Sequence, residues 1–176
     1  DFAFRTDGSI SQTSTDANPQ YGSMVPDDGS AENRKRELTA EVGNVTVDAL
    51  VITQTFAVTV VGGNPSNHPY HNVGSTNKFA IDGSTATADV TLTFEEGKTY
   101  RFDQSDSSND GHPLRISATP NGTHGGGTEY TVGVVTNGVA GQSGAYTQIT
   151  VASDAPTLYY YCQNHSAMGW TINVED

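Results

Sequence analysis

The sequence predicts an all-β fold, a Greek-key β-sandwich made of eight or nine short strands. Short runs rich in Val, Ile, Thr, Tyr and Phe alternate with polar residues, which is the two-residue period of a half-buried strand. Clusters of Gly, Pro, Asn and Asp separate these runs and are typical of turns. No part of the chain requires a helix of more than one or two turns.

The first 44 residues differ in composition from the rest. Ser, Thr, Asp, Asn, Gly and Pro dominate, and too few apolar residues are present to build a core. The basic stretch within residues 33–38 is diluted by neighbouring carboxylates, so we interpret it as a solvated turn or short helix rather than a recognition patch. We therefore divide the chain into a polar extended arm, residues 1–44, and a β-sandwich, residues 45–176. The arm is expected to be an assembly segment that docks onto another subunit.

The strands of the sandwich can be placed from the alternation. Residues 88–103 alternate on both sides of Gly97, which predicts a hairpin. Leu158, Tyr160 and Cys162 fall on one face of a later strand, so the thiol is expected to face the interior. In chain order, strands are expected within residues 45–47, 50–61, 78–81, 88–103, 112–116, 130–135, 146–151, 157–162 and 170–174.

Composition restricts the possible functions. The chain has 8 basic and 20 acidic residues and a formal net charge of −12, so nucleic acid and anionic membrane surfaces are not expected partners. No apolar run approaches the roughly 18 residues of a membrane span. No Ser-His-Asp order, phosphate-binding glycine loop or pair of acid/base carboxylates stands out, so we do not expect an enzyme.

The most informative stretch lies near the end of the chain. The single cysteine, Cys162, is followed at intervals of three residues by His165 and by Met168, one of only two methionines. Thiolate, imidazole and thioether are the ligands that copper uses in trigonal sites of two histidines and one cysteine, with a long axial methionine. The second histidine must come from elsewhere, and His112 is the best candidate because it lies where a polar loop becomes a strand.

Other interpretations of these residues stay open. A lone cysteine is usually a small buried hydrophobe, and Met168 can serve as a gap filler in the core. His68 and His71 form a His-x-x-His pair, but we favour a loop role for them over metal binding. His124 lies in a glycine-rich connector and is expected to be solvated.

The order His112, then Cys162-x-x-His165-x-x-Met168, resembles the cupredoxins, the blue copper proteins, and most closely those with the shortest ligand loop. The resemblance implies a sandwich of the cupredoxin type and a type 1-like copper site with these four ligands. One position departs from the family. Cupredoxins typically have Asn after the first histidine, whose backbone N–H donates to the thiolate, whereas Pro113 has no N–H.

A second resemblance concerns residues 56–168, which look like modules in virion structural proteins of marine tailed phages. It is carried by four runs, at residues 63–70, 100–109, 122–131 and 155–162. It implies a capsid decoration or appendage subunit at the virion surface or outside the cell. Such a subunit would assemble with itself or with other virion proteins through the arm, and could bind a host surface ligand. The alternative is a soluble blue copper electron-transfer protein, located in the periplasm.

Overall fold

The computed structural model describes residues 2–4, 10–12 and 51–176. The chain divides into two compact units, Asp1–Val47 and Asp48–Asp176. In the first unit, strands β1 (Phe2–Phe4) and β2 (Ile10–Gln12) form an antiparallel pair. The expected arm boundary after residue 44, the short helix within residues 33–38 and the strand at residues 45–47 lie outside the described residues.

The second unit confirms the all-β prediction. Apart from the four-residue helix α1 (Thr87–Val90) and two 3-10 turns (Ser107–Asn109 and Gly122–Gly125), its regular structure between residues 51 and 176 is strand. In this range no helix is long and apolar enough to cross a membrane. The strands are β3 (Gln54–Val61), β4 (Lys78–Ile81), β5 (Leu92–Glu95), β6 (Thr99–Asp103), β7 (Leu114–Ser117), β8 (Val134–Asn137), β9 (Tyr146–Thr150), β10 (Leu158–Cys162) and β11 (Thr171–Glu175).

These strands form two sheets. One has five strands in the order β4-β3-β6-β9-β8, and the other has four in the order β5-β11-β10-β7. β3 and β6 are parallel, as are β5 and β11, and the remaining pairs are antiparallel. β10 therefore lies inside its sheet, with β11 on one side and β7 on the other.

Aromatic side chains join the two sheets across a buried core. The Phe94 ring of one sheet stacks on the Tyr100 ring of the other with centroids 3.8 Å apart and ring planes inclined by 4°. Phe102 and Tyr160 make a second contact between the sheets at 5.6 Å, and the Tyr160 hydroxyl donates to the Val90 carbonyl. Burial of such rings is the main source of stability in a sandwich, because each removes a large apolar area from water.

The predicted hairpin at residues 88–103 is wrong. β5 and β6 occupy different sheets, and α1 precedes β5. The turn between them uses its backbone to join other strands: Glu96 N–H donates to the Glu175 carbonyl, and Gly97 N–H donates to the Val151 carbonyl. The alternation correctly identified which side chains face inward. It does not tell whether two strands pair in one sheet or face each other across the core, because both arrangements produce the same alternation.

One later strand also begins at a different residue from the one predicted. Residues 130–135 were expected to form a strand, whereas β8 starts at Val134 and runs to Asn137. Tyr130 instead donates its N–H to the Ile116 carbonyl and lies beside β7. The β-branched composition of this stretch is real, but Gly133 has a positive φ of 69° and breaks the extended backbone before Val134.

Candidate metal centre

The pairing of β7 with β10 brings two distant residues to the same end of the sandwich. These strands are antiparallel, and Cys162, the last residue of β10, is opposite Leu114, the first residue of β7. His112 lies two residues before Leu114 and is therefore next to the end of β10. The loop of residues 163–170 continues from Cys162 to β11 and carries His165.

The side chains of these three residues converge. Cys162 Sγ is 3.8 Å from His112 Nδ1 and 3.7 Å from His165 Nδ1. The two imidazole rings are 4.5 Å apart, and the three donor atoms all lie within 4.8 Å of one another. In the described part of the chain, this group could hold a metal ion. His112, Cys162 and His165 therefore lie together, and their role as metal ligands stays a prediction.

The distances match the requirements of a bound ion. A metal–sulfur bond of about 2.3 Å and a metal–nitrogen bond of about 2.1 Å that meet at an angle of about 120° place the sulfur and nitrogen atoms about 3.8 Å apart. A tetrahedral angle with the same bonds gives about 3.6 Å. The distances from Cys162 Sγ to His112 Nδ1 and His165 Nδ1, 3.8 and 3.7 Å, lie within the range spanned by these two geometries. A metal ion can therefore be accommodated without moving the strands.

Met168, the fourth predicted ligand, lies in the same loop. Its side chain is fully buried in the hydrophobic cluster that also contains Cys162 and Leu114. Its backbone carbonyl accepts a hydrogen bond from the Phe79 N–H, which fixes this part of the loop against β4. Ligation by the thioether stays a prediction.

Solvent reaches the centre from one side. Cys162 is fully buried and His112 is 8% exposed, whereas His165 is an exposed residue. Burial lowers the pKa of His112, the neighbouring His165 lowers it further, and Asp110 opposes both effects. His112 is therefore a neutral imidazole at neutral pH, which is the form that binds a metal.

The thiol has hydrogen-bond donors even though Pro113 has no N–H. Burial raises the pKa of Cys162, and the backbone N–H groups of Asn164 and His165 and the charge of Arg115 oppose that rise. Donors of this kind stabilise a thiolate and tune its bond to a metal. The ligand loop itself therefore supplies the hydrogen bonds that Pro113 does not.

A buried glutamine fixes the backbone around His112. The Gln104 side chain donates from Nε2 to the His112 carbonyl at 2.9 Å, and its Oε1 accepts from the Leu114 N–H at 2.8 Å. His112 N–H in turn donates to the Asn109 carbonyl at 2.8 Å. Because the amide satisfies one backbone group on each side of Pro113, it replaces the hydrogen bonds that a regular strand would provide there.

Two further residues contact the predicted ligands, and neither was expected to do so. Asn77 Nδ2 lies 3.5 Å from His112 Nε2, and turning the amide over would let its oxygen accept the Nε2–H of a metal-bound imidazole. His124 is exposed, as predicted, but its Nε2 also lies 3.1 Å from the Cys162 carbonyl. Nothing in the sequence marks either residue, because both come from loops remote from the ligand motif.

Lys78 holds the ligand loop through a buried ammonium group. Its Nζ donates to the carbonyls of Val73, Ser75 and Ala167 at 2.8, 2.6 and 2.7 Å, and the residue is fully buried. The three acceptors use all three donors of the ammonium group. Ala167 has a positive φ of 57°, and its N–H donates to Asn121 Oδ1. This backbone conformation is therefore held from both sides.

His68 and His71 have structural contacts, as favoured by the sequence. His71 Nδ1 is 3.0 Å from the Asn64 carbonyl. His68 Nδ1 accepts the Tyr70 N–H at 3.1 Å, and its buried Nε2 has no partner among the described residues. Burial and the Lys78 charge lower the pKa of His68 to about 4, and the nearby Met168 backbone opposes them in part.

Comparisons of the chain with family models, with curated proteins and with solved structures find no match in any of the three. No ligand set or activity can therefore be transferred from a relative. The chemistry of the centre follows from its own donors: one thiolate and two imidazoles at 3.7–3.8 Å.

Replacing Lys78 by Met is expected to lower the free energy of unfolding by about 2–4 kcal/mol, because three buried carbonyls lose a charged donor. Urea unfolding followed by tryptophan fluorescence measures the change. Lys98, which is exposed, provides the matched control, and Lys98→Met should unfold like the wild type. Equal losses in the two variants would contradict the role assigned to Lys78.

The low pKa of His68 should make stability depend on pH. The folded state binds this proton with a pKa of about 4 and the unfolded state with about 6.5. Its contribution is therefore fully present above about pH 6.5 and is lost as the pH falls through about 4, a change on the order of 3 kcal/mol. Urea midpoints measured from pH 4 to 7 should flatten in His68→Gln and keep the wild-type slope in His71→Gln. An unchanged slope in His68→Gln would show that other groups cause it.

Proposed function

We propose that the second unit binds copper in a type 1-like site of a cupredoxin-type sandwich, with His112, Cys162 and His165 as strong ligands and Met168 as a weak axial ligand. The observation that carries this proposal is the spacing of the thiol sulfur from two Nδ1 atoms, 3.8 and 3.7 Å. A trigonal set of two histidines and one cysteine with a long methionine bond is the ligand pattern of blue copper sites.

Copper fits this donor set better than other common ions. Calcium and magnesium require oxygen ligands, and the group contains none. A structural zinc site takes four strong ligands in a tetrahedron, whereas this group has three. A buried sulfur together with imidazoles suits both oxidation states of copper. When bound, copper would supply one-electron redox chemistry. The exposed His165 would be the ligand through which a redox partner reaches the site.

The strand order supports the cupredoxin-type, Greek-key part of the proposal. Consecutive strands from β4 to β8 alternate between the two sheets, and in these sheets β3–β4, β8–β9 and β10–β11 are the antiparallel pairs that are neighbours in both sequence and space. Connections that cross between sheets in this way are typical of Greek-key sandwiches. They leave the β10–β11 loop at the same end as the start of β7.

We infer that the setting of this domain is a virion surface, as a subunit of a capsid decoration or an appendage. The resemblance of residues 56–168 to phage structural modules supports this setting, as does the separate unit Asp1–Val47. A soluble electron carrier needs little more than a domain of about 100 residues. The exposed His165 favours the alternative, electron transfer, and both roles are compatible with one copper site.

Adding Cu(II) to the purified chain is expected to produce an intense visible absorption, because the Cys162 sulfur donates charge to the metal. Cys162→Ser should abolish the colour, whereas Met168→Leu should only shift it, because an axial methionine is a weak ligand that tunes potential. Copper should also raise the melting temperature, since it binds the folded state only. Absorption and thermal unfolding measure these effects.

His71→Gln is the control for this experiment, because His71 lies outside the three-residue group and its replacement should leave the colour and the copper-induced rise in melting temperature unchanged. A colourless, unstabilised wild type, loaded with Cu(II) while its thiol is confirmed to be reduced, would contradict copper binding. The same chain stabilised only by Zn(II) would identify a different metal.

Deletion of residues 1–44 tests the assembly role of the arm. The remaining chain should fold and bind copper, because the three strong ligands belong to Asp48–Asp176. It should no longer form assemblies larger than a pair of chains. Light scattering with size-exclusion chromatography gives the mass, and an arm-less chain that assembles as the full chain does would contradict this role.

A further inference from the structure

The two sheets have four edge strands, and three of them are occupied or charged. On β4, the N–H groups of Phe79 and Ile81 donate to the carbonyls of Met168 and Ser84. β4 is also buried along its whole length. The chain itself therefore covers this edge.

The edges of the four-stranded sheet are also protected. On β7, the Ile116 carbonyl accepts the Tyr130 N–H, so a neighbouring segment lies along the strand. On β5, Glu95 N–H donates to the Tyr100 hydroxyl, and the Glu95 side chain is exposed at the edge. Charge and coverage are the usual means by which proteins prevent pairing at sheet edges.

β8 has neither protection beyond its first residue, whose N–H donates to the Thr131 carbonyl. Thr150 N–H donates to the Gly133 carbonyl, so Gly133 is hydrogen-bonded to the neighbouring strand. In an antiparallel pair every second residue makes such bonds, and the residues between them direct their N–H and C=O groups away from the partner. Thr136, three residues after Gly133, therefore directs its N–H and C=O away from β9. Among the described residues, Thr136 makes no backbone hydrogen bond outside the β8–β9 ladder. Thr136 and Asn137 are exposed, and Val135 is 53% exposed.

The surroundings of β8 are apolar and without charge. Val132 and Val139, which flank the strand, are 56% and 67% exposed. Residues 130–153 include no Asp, Glu, Lys, Arg or His and no Pro, although the chain carries 28 charged Asp, Glu, Lys and Arg residues in total, 8 basic and 20 acidic. An exposed edge with valines and without charge or proline is the type of edge that pairs with another strand.

We propose that β8 is a self-association edge, at which the β8 strands of two copies of this chain pair antiparallel about a two-fold axis. Two copies of a chain with net charge −12 repel each other, and the uncharged stretch of residues 130–153 is where they can approach without bringing like charges together. A two-fold axis gives each Thr136 N–H a carbonyl from the identical strand opposite. The two five-stranded sheets would then continue as one. This association does not require a bound metal ion.

The test uses the full chain and two variants of β8. Thr136→Pro removes a donor that points away from β9, so the fold is retained while the edge loses its central hydrogen bond. Val135→Lys leaves the backbone unchanged and places a charge on the strand, as natural edges do. Val73→Lys is the matched control, because Val73 is 51% exposed and lies outside residues 130–153.

Sedimentation equilibrium at chain concentrations up to about 0.5 mM should show the wild type and Val73→Lys as pairs or even-numbered assemblies of the 18.6 kDa chain. Thr136→Pro and Val135→Lys should lose the pairing and retain the wild-type circular dichroism spectrum. If Thr136→Pro fails to fold, Val135→Lys decides the question. A wild type that remains a single chain at all of these concentrations would overturn the proposal. An assembly that persists in both variants would also overturn it, because the N-terminal unit or another surface would then hold the chains together.

Discussion

The antiparallel pairing of β7 with β10 is the constraint on which the candidate metal centre depends. It sets Cys162 opposite Leu114, and so brings His112 next to a sulfur that lies fifty residues later in the chain. A shift of this register by one residue would turn the Cys162 side chain to the other face of the sheet. The buried Gln104 amide fixes the backbone that carries His112 into β7, since it binds backbone groups of both His112 and Leu114.

The ligand loop is held in place before any ion arrives. Three hydrogen bonds fix the backbone of residues 163–168. Gln163 N–H donates to the Pro113 carbonyl, and Lys78 Nζ donates to the Ala167 carbonyl. Phe79 N–H donates to the Met168 carbonyl. Ordering a flexible loop at the moment of binding would cost conformational entropy, and these bonds meet that cost during folding. The same bonds also fix the backbone N–H groups of Asn164 and His165, which oppose the rise in the pKa of the Cys162 thiol.

Sequence patterns revealed the all-β class, the inward faces and three converging donors, because each depends on local alternation or on rare residue types. They did not reveal that β5 and β6 face each other, because pairing partners are set by long-range packing that alternation does not encode. Asn77, Lys78, Gln104 and His124 were missed for a related reason. Each acts through a contact with a backbone or ring atom, and no local sequence pattern encodes such a contact.

Within the second unit, one cavity lies between the β8 edge and the backbone beside His112 of the candidate metal centre. This cavity of about 210 Å³ is lined by Gln104 and Pro113 on one side and by residues 136–140, which continue from β8, on the other. Gln104 is also the residue that holds the His112 carbonyl. A second copy paired at β8 would lie beside this cavity, so a change in pairing that moves Gln104 would change the position of His112. Any such coupling must be reciprocal, so that an ion that favours one arrangement of His112 would favour or oppose pairing by the same free energy.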